Sequence, residues 1–437
     1  MNRKNFIFTQ HSLWLRRRSV GLIRCDPAAG DRRRQESAAG RFRSTILIVC
    51  MTAMLAGCAT WPDRPAISPE TAAAASINGF AEIRIYADAD VDQWLRWRKK
   101  WEHDRKSADA VDPIRMLAIS SGSDKGAFAA GLLNGWSEGG NRPDFSLVTG
   151  TSTGALIAPF AFLGRKHDVT LRTLYTTISA KDIFRKHPIE GVLGGVSLAD
   201  SAPLYSLIDQ YLTTQIVEEI GIEHRKGRRL LVATTNLDAQ RGVVWDIGAI
   251  AISSDPRKAT LIRQILLASA SIPGLFPPVL MNVQNNGQRL TEMHVDGGTT
   301  ASMFVVPTAL LRSNSGGTDV EAPRSIDLIY NGTLQSRYEV IEPRTFTIME
   351  RALSTAILAA DKHSIAAYDE FAKRHDTRFS VWTIDLDFAD DEHALFDQKF
   401  MTMLFDYGHQ KGLGIRPIAK SSDPGFSLRE RLNPMQQ

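Results

Sequence analysis

Cysteine is nearly absent from this 437-residue chain: Cys25, Cys50 and Cys58 are the three, all near the N-terminus. Beyond residue 58 that excludes a disulfide, a cysteine nucleophile and a cysteine metal site. Histidine is sparse, at 10 residues, and His363, His375 and His393 show neither H-E-x-x-H nor a cysteine-paired spacing. No catalytic metal and no cofactor are expected. The G-x-x-x-x-G-K-[ST] spacing is missing, which argues against a phosphate-cradling loop. The apolar run at residues 46–55 is about half the ~20 residues that a spanning helix needs, so a permanent transmembrane segment is not expected. One-sided charge is lacking as well. The net charge of +4 arises from arginines crowded before residue 44, among them Arg16, Arg17, Arg18, Arg32, Arg33, Arg34, Arg41 and Arg43. The rest is near neutral or slightly acidic, and nothing supports nucleic-acid binding. No repeat or low-complexity tract appears.

With 43% hydrophobic and 23% charged residues, the chain suits a globular, enzyme-sized body. Residues 1–58 read as a signal region. Arg41 and Arg43 precede the apolar run, which ends in Leu55-Ala56-Gly57-Cys58 and resembles a bacterial lipoprotein signal peptide with its lipobox. That resemblance implies cleavage before Cys58, lipidation of its thiol and a membrane lipoprotein facing the periplasm. Ala59 carries no aspartate retention signal, which by the same resemblance favours the outer membrane. Residues 59–78, with Pro62, Pro65 and Pro69, read as a tether.

Residues 79–110 form an N-terminal extension. Residues 80–86 alternate as a half-buried strand does, and a helix is expected from about Asp90. Its Trp94, Trp97 and Trp101 recur at helical spacing between basic residues. They fit a helix packed on a core or one lying at a membrane surface. Strands are expected at 114–120, 145–150, 229–236, 243–247, 326–330 and 380–384, with helices from 127, 155 and 261 and a long one over about 344–375. Asn286-Gly287 signals a hairpin. Strand, glycine turn and helix occur twice within forty residues, which argues for a mostly parallel sheet covered by helices, with ligands at the strands' C-terminal edge. Gly191 to Gly195 read as a surface loop or a flap beside the site.

The chemistry concentrates in three motifs. Gly150-Thr151-Ser152-Thr153-Gly154 joins an apolar strand to an apolar helix, so Ser152 would sit on a sharp turn, with glycines allowing close backbone approach. Ser121-Gly122-Ser123-Asp124-Lys125-Gly126 turns the preceding strand into a helix. Asp296-Gly297-Gly298 ends a strand-like run at Met293-His294-Val295. Two residues before the aspartate, His294 reads as a structural histidine rather than a triad member.

In this order the three motifs resemble the patatin-like phospholipase family, over about residues 115–307 and including the Ala268-Ser269-Ala270-Ser271-Ile272-Pro273 helix end. The resemblance implies a three-layer α/β/α fold over residues 111–310, with residues 311–437 as a C-terminal α/β part packed on the same body. It implies a serine–aspartate dyad, Ser152 as nucleophile and Asp296 as base, and an oxyanion loop of Gly122, Ser123, Asp124, Lys125 and Gly126. The family loop reads G-G-G-x-[RK]-G, whereas serines stand here at 121 and 123. If the third position requires positive φ, Ser123 is strained; if only its N–H is used, serine is accommodated. The implied activity is acyl-ester hydrolysis on a membrane lipid. The alternative is a catalytically silent, membrane-tethered scaffold on the same fold; a small-ester or thioester hydrolase would share the mechanism.

Overall fold

The computed structural model describes Arg64 and residues 67–108, 110, 112–186, 196–305, 307, 311, 322–385 and 393–415. All belong to the unit Asp63–Gln437. The expectations for the signal region, for Cys58 and for the loop at 191–195 lie outside the described residues.

The strands are β1 (Arg84–Tyr86), β2 (Arg115–Ile119), β3 (Leu147–Thr151), β4 (Arg185–Lys186), β5 (Ala199–Asp200), β6 (Arg229–Asn236), β7 (Arg241–Asp246), β8 (Val279–Asn285), β9 (Gln288–Asp296), β10 (Ser325–Ile329) and β11 (Arg378–Trp382). Nine of them form one sheet in the order β1-β7-β6-β3-β2-β10-β11, to which β9 adds on β6 and β8 on β9; β4 and β5 pair separately. The run β6-β3-β2-β10-β11 is parallel. Strands β7, β8 and β9 are antiparallel to their neighbours, and so is β1.

Both faces of the parallel run are buried. On β2, Leu117 and Ile119 enter one apolar cluster while Met116 and Ala118 enter another, and β6 divides Leu230 and Val232 from Leu231 in the same way. Strands covered on both sides read as continuous apolar runs, as these do. One cover holds the helices Gly126–Glu138, Thr153–Leu163 and Gln398–Leu413; the other holds Val91–Ser107 and Thr345–Arg374. The fold is therefore a three-layer α/β/α sandwich.

Trp94 and Trp101 are buried in the second cluster, and the Trp101 indole N–H donates to the Gly227 carbonyl at 2.8 Å. The core reading of that helix stands, and the membrane-surface reading does not. The Asp90 carboxylate caps it by accepting from the Gln93 N–H. The strand expected over 80–86 shortens to Arg84–Tyr86, because Glu82 sits at φ +51° and breaks the extended backbone. Within the stretch read as a tether, residues 69–73 are helical, Ala75 and Ile77 are buried, and Ser76 bridges to Gln284. Asn286 and Gly287, at φ +49° and +81°, make the tight β8–β9 turn. Among the described residues no helix is long and apolar enough to cross a membrane.

Strand β6 brings the key motifs together. Its first half pairs with β3 up to Thr151↔Ala233, and its second half pairs on the same side with β9 from Thr234↔Asp296. Strand β3 runs parallel to β6 and β9 antiparallel, so their C-terminal ends meet head-on at adjacent residues of β6. The turn leaving β3 must therefore touch the end of β9.

Candidate active site

Ser152 occupies that junction at φ +57°, ψ −124°, a backbone conformation that L-residues rarely adopt. The close approach expected of the flanking glycines is present: a Cβ at Gly150 would overlap the Gly154 carbonyl, and one at Gly154 would overlap the Ile119 carbonyl. The elbow is held from below by Ser269, whose Oγ accepts the Ser152 N–H at 3.0 Å and donates to the Ala233 carbonyl at 2.7 Å. Sequence reading placed Ser269 at a helix end and gave it no role. Its signal was a buried serine on an otherwise apolar helix face.

The Ser152 hydroxyl donates to Asp296 Oδ2 at 2.5 Å, and both residues are buried. The other carboxylate oxygen accepts the Gly298 N–H at 2.7 Å. Desolvation pushes the Asp296 pKa up to about 7, against the lowering pull of the Ser152 and Gly298 hydrogen bonds. Half-protonated near neutrality, such a carboxylate is a far better proton acceptor than an exposed aspartate. Gly297 lies against the Ala233 carbonyl with no room for a side chain.

His294 stands apart. Its ring nitrogens face Thr234 Oγ1 at 2.9 Å and Glu292 Oε2 at 3.1 Å, and Arg84 completes the cluster through Glu292. Burial holds its pKa below the ordinary value. The arrangement is structural and does not reach Ser152.

The loop after β2 abuts the elbow. Gly122 lies at φ +156° against Asn331, and Ser123 at φ +55°. The positive-φ alternative is thus the one realised. Asn331 holds the loop's base, donating from Nδ2 to the Ser120 carbonyl at 2.9 Å and from its N–H to Ser120 Oγ at 2.8 Å. Asp124 is buried and accepts the Phe396 N–H at 3.0 Å, with His393 Nε2 at 3.2 Å, which ties residues 393–396 to the loop. Lys125 forms no ion pair among the described residues. The Thr153 hydroxyl pairs with Tyr175 OH at 2.7 Å. Burial raises the Tyr175 pKa, keeping it a neutral phenol.

Ser152 and Ser123 open onto a pocket enclosing about 860 Å³, part of it open to solvent, walled by Leu156, Phe160, Leu204, Ile208, Phe276 and Met401 among others. Among the described residues no group of His, Cys, Asp and Glu is arranged to hold a metal.

Residues 117–310 match the family model described as patatin-like phospholipase. That segment, a little under half of the chain, is similar to the patatin-like phospholipases. Ser152, Asp296 and the loop at 121–126 all fall inside the matched patatin-like segment. Among solved structures, the crystal structure of VipD from Legionella pneumophila aligns at 14% identity with a TM-score of 0.30, over 69% of this chain and 66% of VipD. The chain spans just under two thirds of VipD's length. No curated protein matches the sequence.

Proposed function

We propose that the protein is a serine lipid acyl hydrolase in which Ser152 and Asp296 act as a dyad. The observation that carries this reading is the 2.5 Å Ser152–Asp296 hydrogen bond at the base of an apolar pocket. Attack by Oγ on an acyl carbonyl passes the hydroxyl proton to the Asp296 carboxylate, and the carbonyl pair becomes an oxyanion. Collapse expels the alcohol, which takes the proton from Asp296. Water then repeats the sequence on the acyl-serine, Asp296 again accepting and returning the proton, and the fatty acid leaves. The loop at 122–126 stands beside the nucleophile, where backbone N–H groups would meet the oxyanion. The apolar wall suits an acyl chain, each buried methylene adding about 0.8 kcal/mol.

A lipid anchor at Cys58 is part of the proposal, supported by the lipobox Leu55-Ala56-Gly57-Cys58. It would hold the enzyme at the periplasmic face of a membrane, at high effective substrate concentration. The test is fatty-acid release from mixed phospholipid vesicles and from short esters, with Ser152→Ala and Asp296→Asn as controls. Release that both substitutions abolish supports the dyad. A wild type silent on vesicles and short esters alike favours the scaffold, for which the serines at 121 and 123 speak. Palmitate labelling that survives Cys58→Ala would remove the anchor.

A further inference from the structure

We propose that the Ser123 hydroxyl is a side-chain donor to the carbonyl oxygen of the ester, so that the oxyanion site is built from a side chain as well as from backbone. The inference rests on the acyl-hydrolase reading and deepens it. Three observations converge on this residue. Ser123 holds φ +55°, where a glycine would sit without strain. Its Oγ is buried and has no hydrogen-bond partner among the described residues. Ser123 lines the same pocket as Ser152.

A buried hydroxyl without a partner is unusual in a folded protein, and one on a strained backbone is more so. Three hydroxyls on the same pocket wall are engaged, Ser152 with Asp296 and Thr153 with Tyr175, whereas that of Ser123 has no partner among the described residues. The loop is fixed on both sides, by Asn331 at Ser120 and by the Asp124 carboxylate on the Phe396 N–H, so the hydroxyl is held beforehand. The strand end that leads into the loop abuts the elbow, since a Cβ at Gly154 would overlap the carbonyls of Ile119 and Ser120. The acceptor that an ester presents beside the attacked carbon is its carbonyl oxygen, which gains negative charge as Oγ bonds. A donor aimed there is worth more in the transition state than in the bound substrate, so it acts on kcat rather than KM.

The test compares the full-length wild type with Ser123→Ala, Ser123→Gly and Ser152→Ala on p-nitrophenyl butyrate, recording kcat, KM and thermal melting. Inactivation by a p-nitrophenyl alkylphosphonate, whose phosphoryl oxygen mimics the oxyanion, is measured in parallel. Both Ser123 variants are expected to lose on the order of 10²-fold in kcat and in phosphonylation rate, with KM within about threefold. The glycine variant relieves the backbone, so a loss there cannot be a folding defect when its melting is intact. Wild-type kcat in Ser123→Ala, or a gain in Ser123→Gly, overturns the inference and leaves the dyad standing. A wild type without Ser152-dependent hydrolysis overturns the acyl-hydrolase reading and this inference together.

Discussion

Two strand-turn-helix crossings lie side by side at the C-terminal edge of the sheet, and each carries a serine at positive φ: Ser152 after β3 at +57° and Ser123 after β2 at +55°. Their surroundings differ. The Ser152 turn is flanked by glycines on both sides, its N–H is held by Ser269, and its hydroxyl is paired with Asp296. The Ser123 turn has a single flanking glycine, its clamps are Asn331 and Asp124, and its hydroxyl is unpaired among the described residues. A non-glycine residue in this region costs of order 1–3 kcal/mol and persists when its surroundings over-determine it. The same positive φ therefore carries two different hydroxyls, one tied to a buried carboxylate and one without a partner among the described residues.

The largest expected effect breaks the paired member. Ser152→Ala should lower hydrolysis by about 10⁴–10⁶-fold and Asp296→Asn by about 10⁴-fold. Fatty-acid release from vesicles measures both. An Asp296→Asn enzyme that keeps a tenth of its activity would reduce the aspartate to a structural hydrogen-bond acceptor.

The same pair predicts a pH signature that the unpaired serine lacks. Asp296 must be ionised to take a proton, and its pKa stands near 7, so kcat/KM should rise as pH passes through about 7. The stability effect has the opposite sign. An aspartate with its folded pKa raised from 3.8 to about 7 contributes stability that is fully present below about pH 4 and lost as pH rises through 7. That amounts to a few kcal/mol across the window. Asp296→Asn removes the dependence, so its melting temperature should overtake that of the wild type between pH 5 and 8. A gap constant over that range would mean that Asp296 is not desolvated in solution.

The two crossings also differ in how much of each was legible in the chain. Gly150 and Gly154 announced the elbow because a Cβ at either would strike backbone, a local constraint that spacing can carry. The approach of Asp296 to Ser152 was not local. It follows from β6 pairing β3 along one half and β9 along the other, 144 residues apart in sequence for the touching atoms. Only the family resemblance linked the two motifs beforehand. Asn331 went unassigned for the same reason, and Asp124 was placed in the oxyanion loop without its clamping role, since their partners at Ser120 and Phe396 come together only once β10 and the 393–396 segment are in place. The strand at 80–86 reads too long in the sequence because alternation continues through Glu82 while the extended backbone does not.

A smaller effect sharpens the role of close packing. Gly154→Ala places a methyl group into the carbonyls of Ile119 and Ser120, at the seam between the two crossings. Overpacking of this kind costs about 1–3 kcal/mol. Because the displaced backbone leads into the Ser123 loop, the variant should lose activity beyond its loss in melting. Gly298→Ala, whose Cβ would approach Asp296 Oδ1 and the Ser121 side chain at 3.0 and 3.4 Å, should perturb less, since a side chain can yield where a strand cannot. Equal losses in the two variants would show that the seam has no special rigidity.

The smallest expected effect concerns stability at the unpaired serine. Ser123→Gly removes left-handed strain and a buried unsatisfied hydroxyl, both destabilising in the folded state. Against this, glycine adds about 0.5–1 kcal/mol of backbone entropy to the unfolded chain. The balance should be a gain of about 0.5 kcal/mol, read as a rise in melting temperature of about 1 °C. Ser123→Ala keeps the strain and loses only the hydroxyl, so it should fall between the wild type and the glycine variant. That ordering, with activity moving the opposite way in both, would show the chain giving up stability at this loop for a donor. A glycine variant that melts below the wild type would mean that Ser123 is held by contacts stronger than its strain, and the parallel between the two serines would end there.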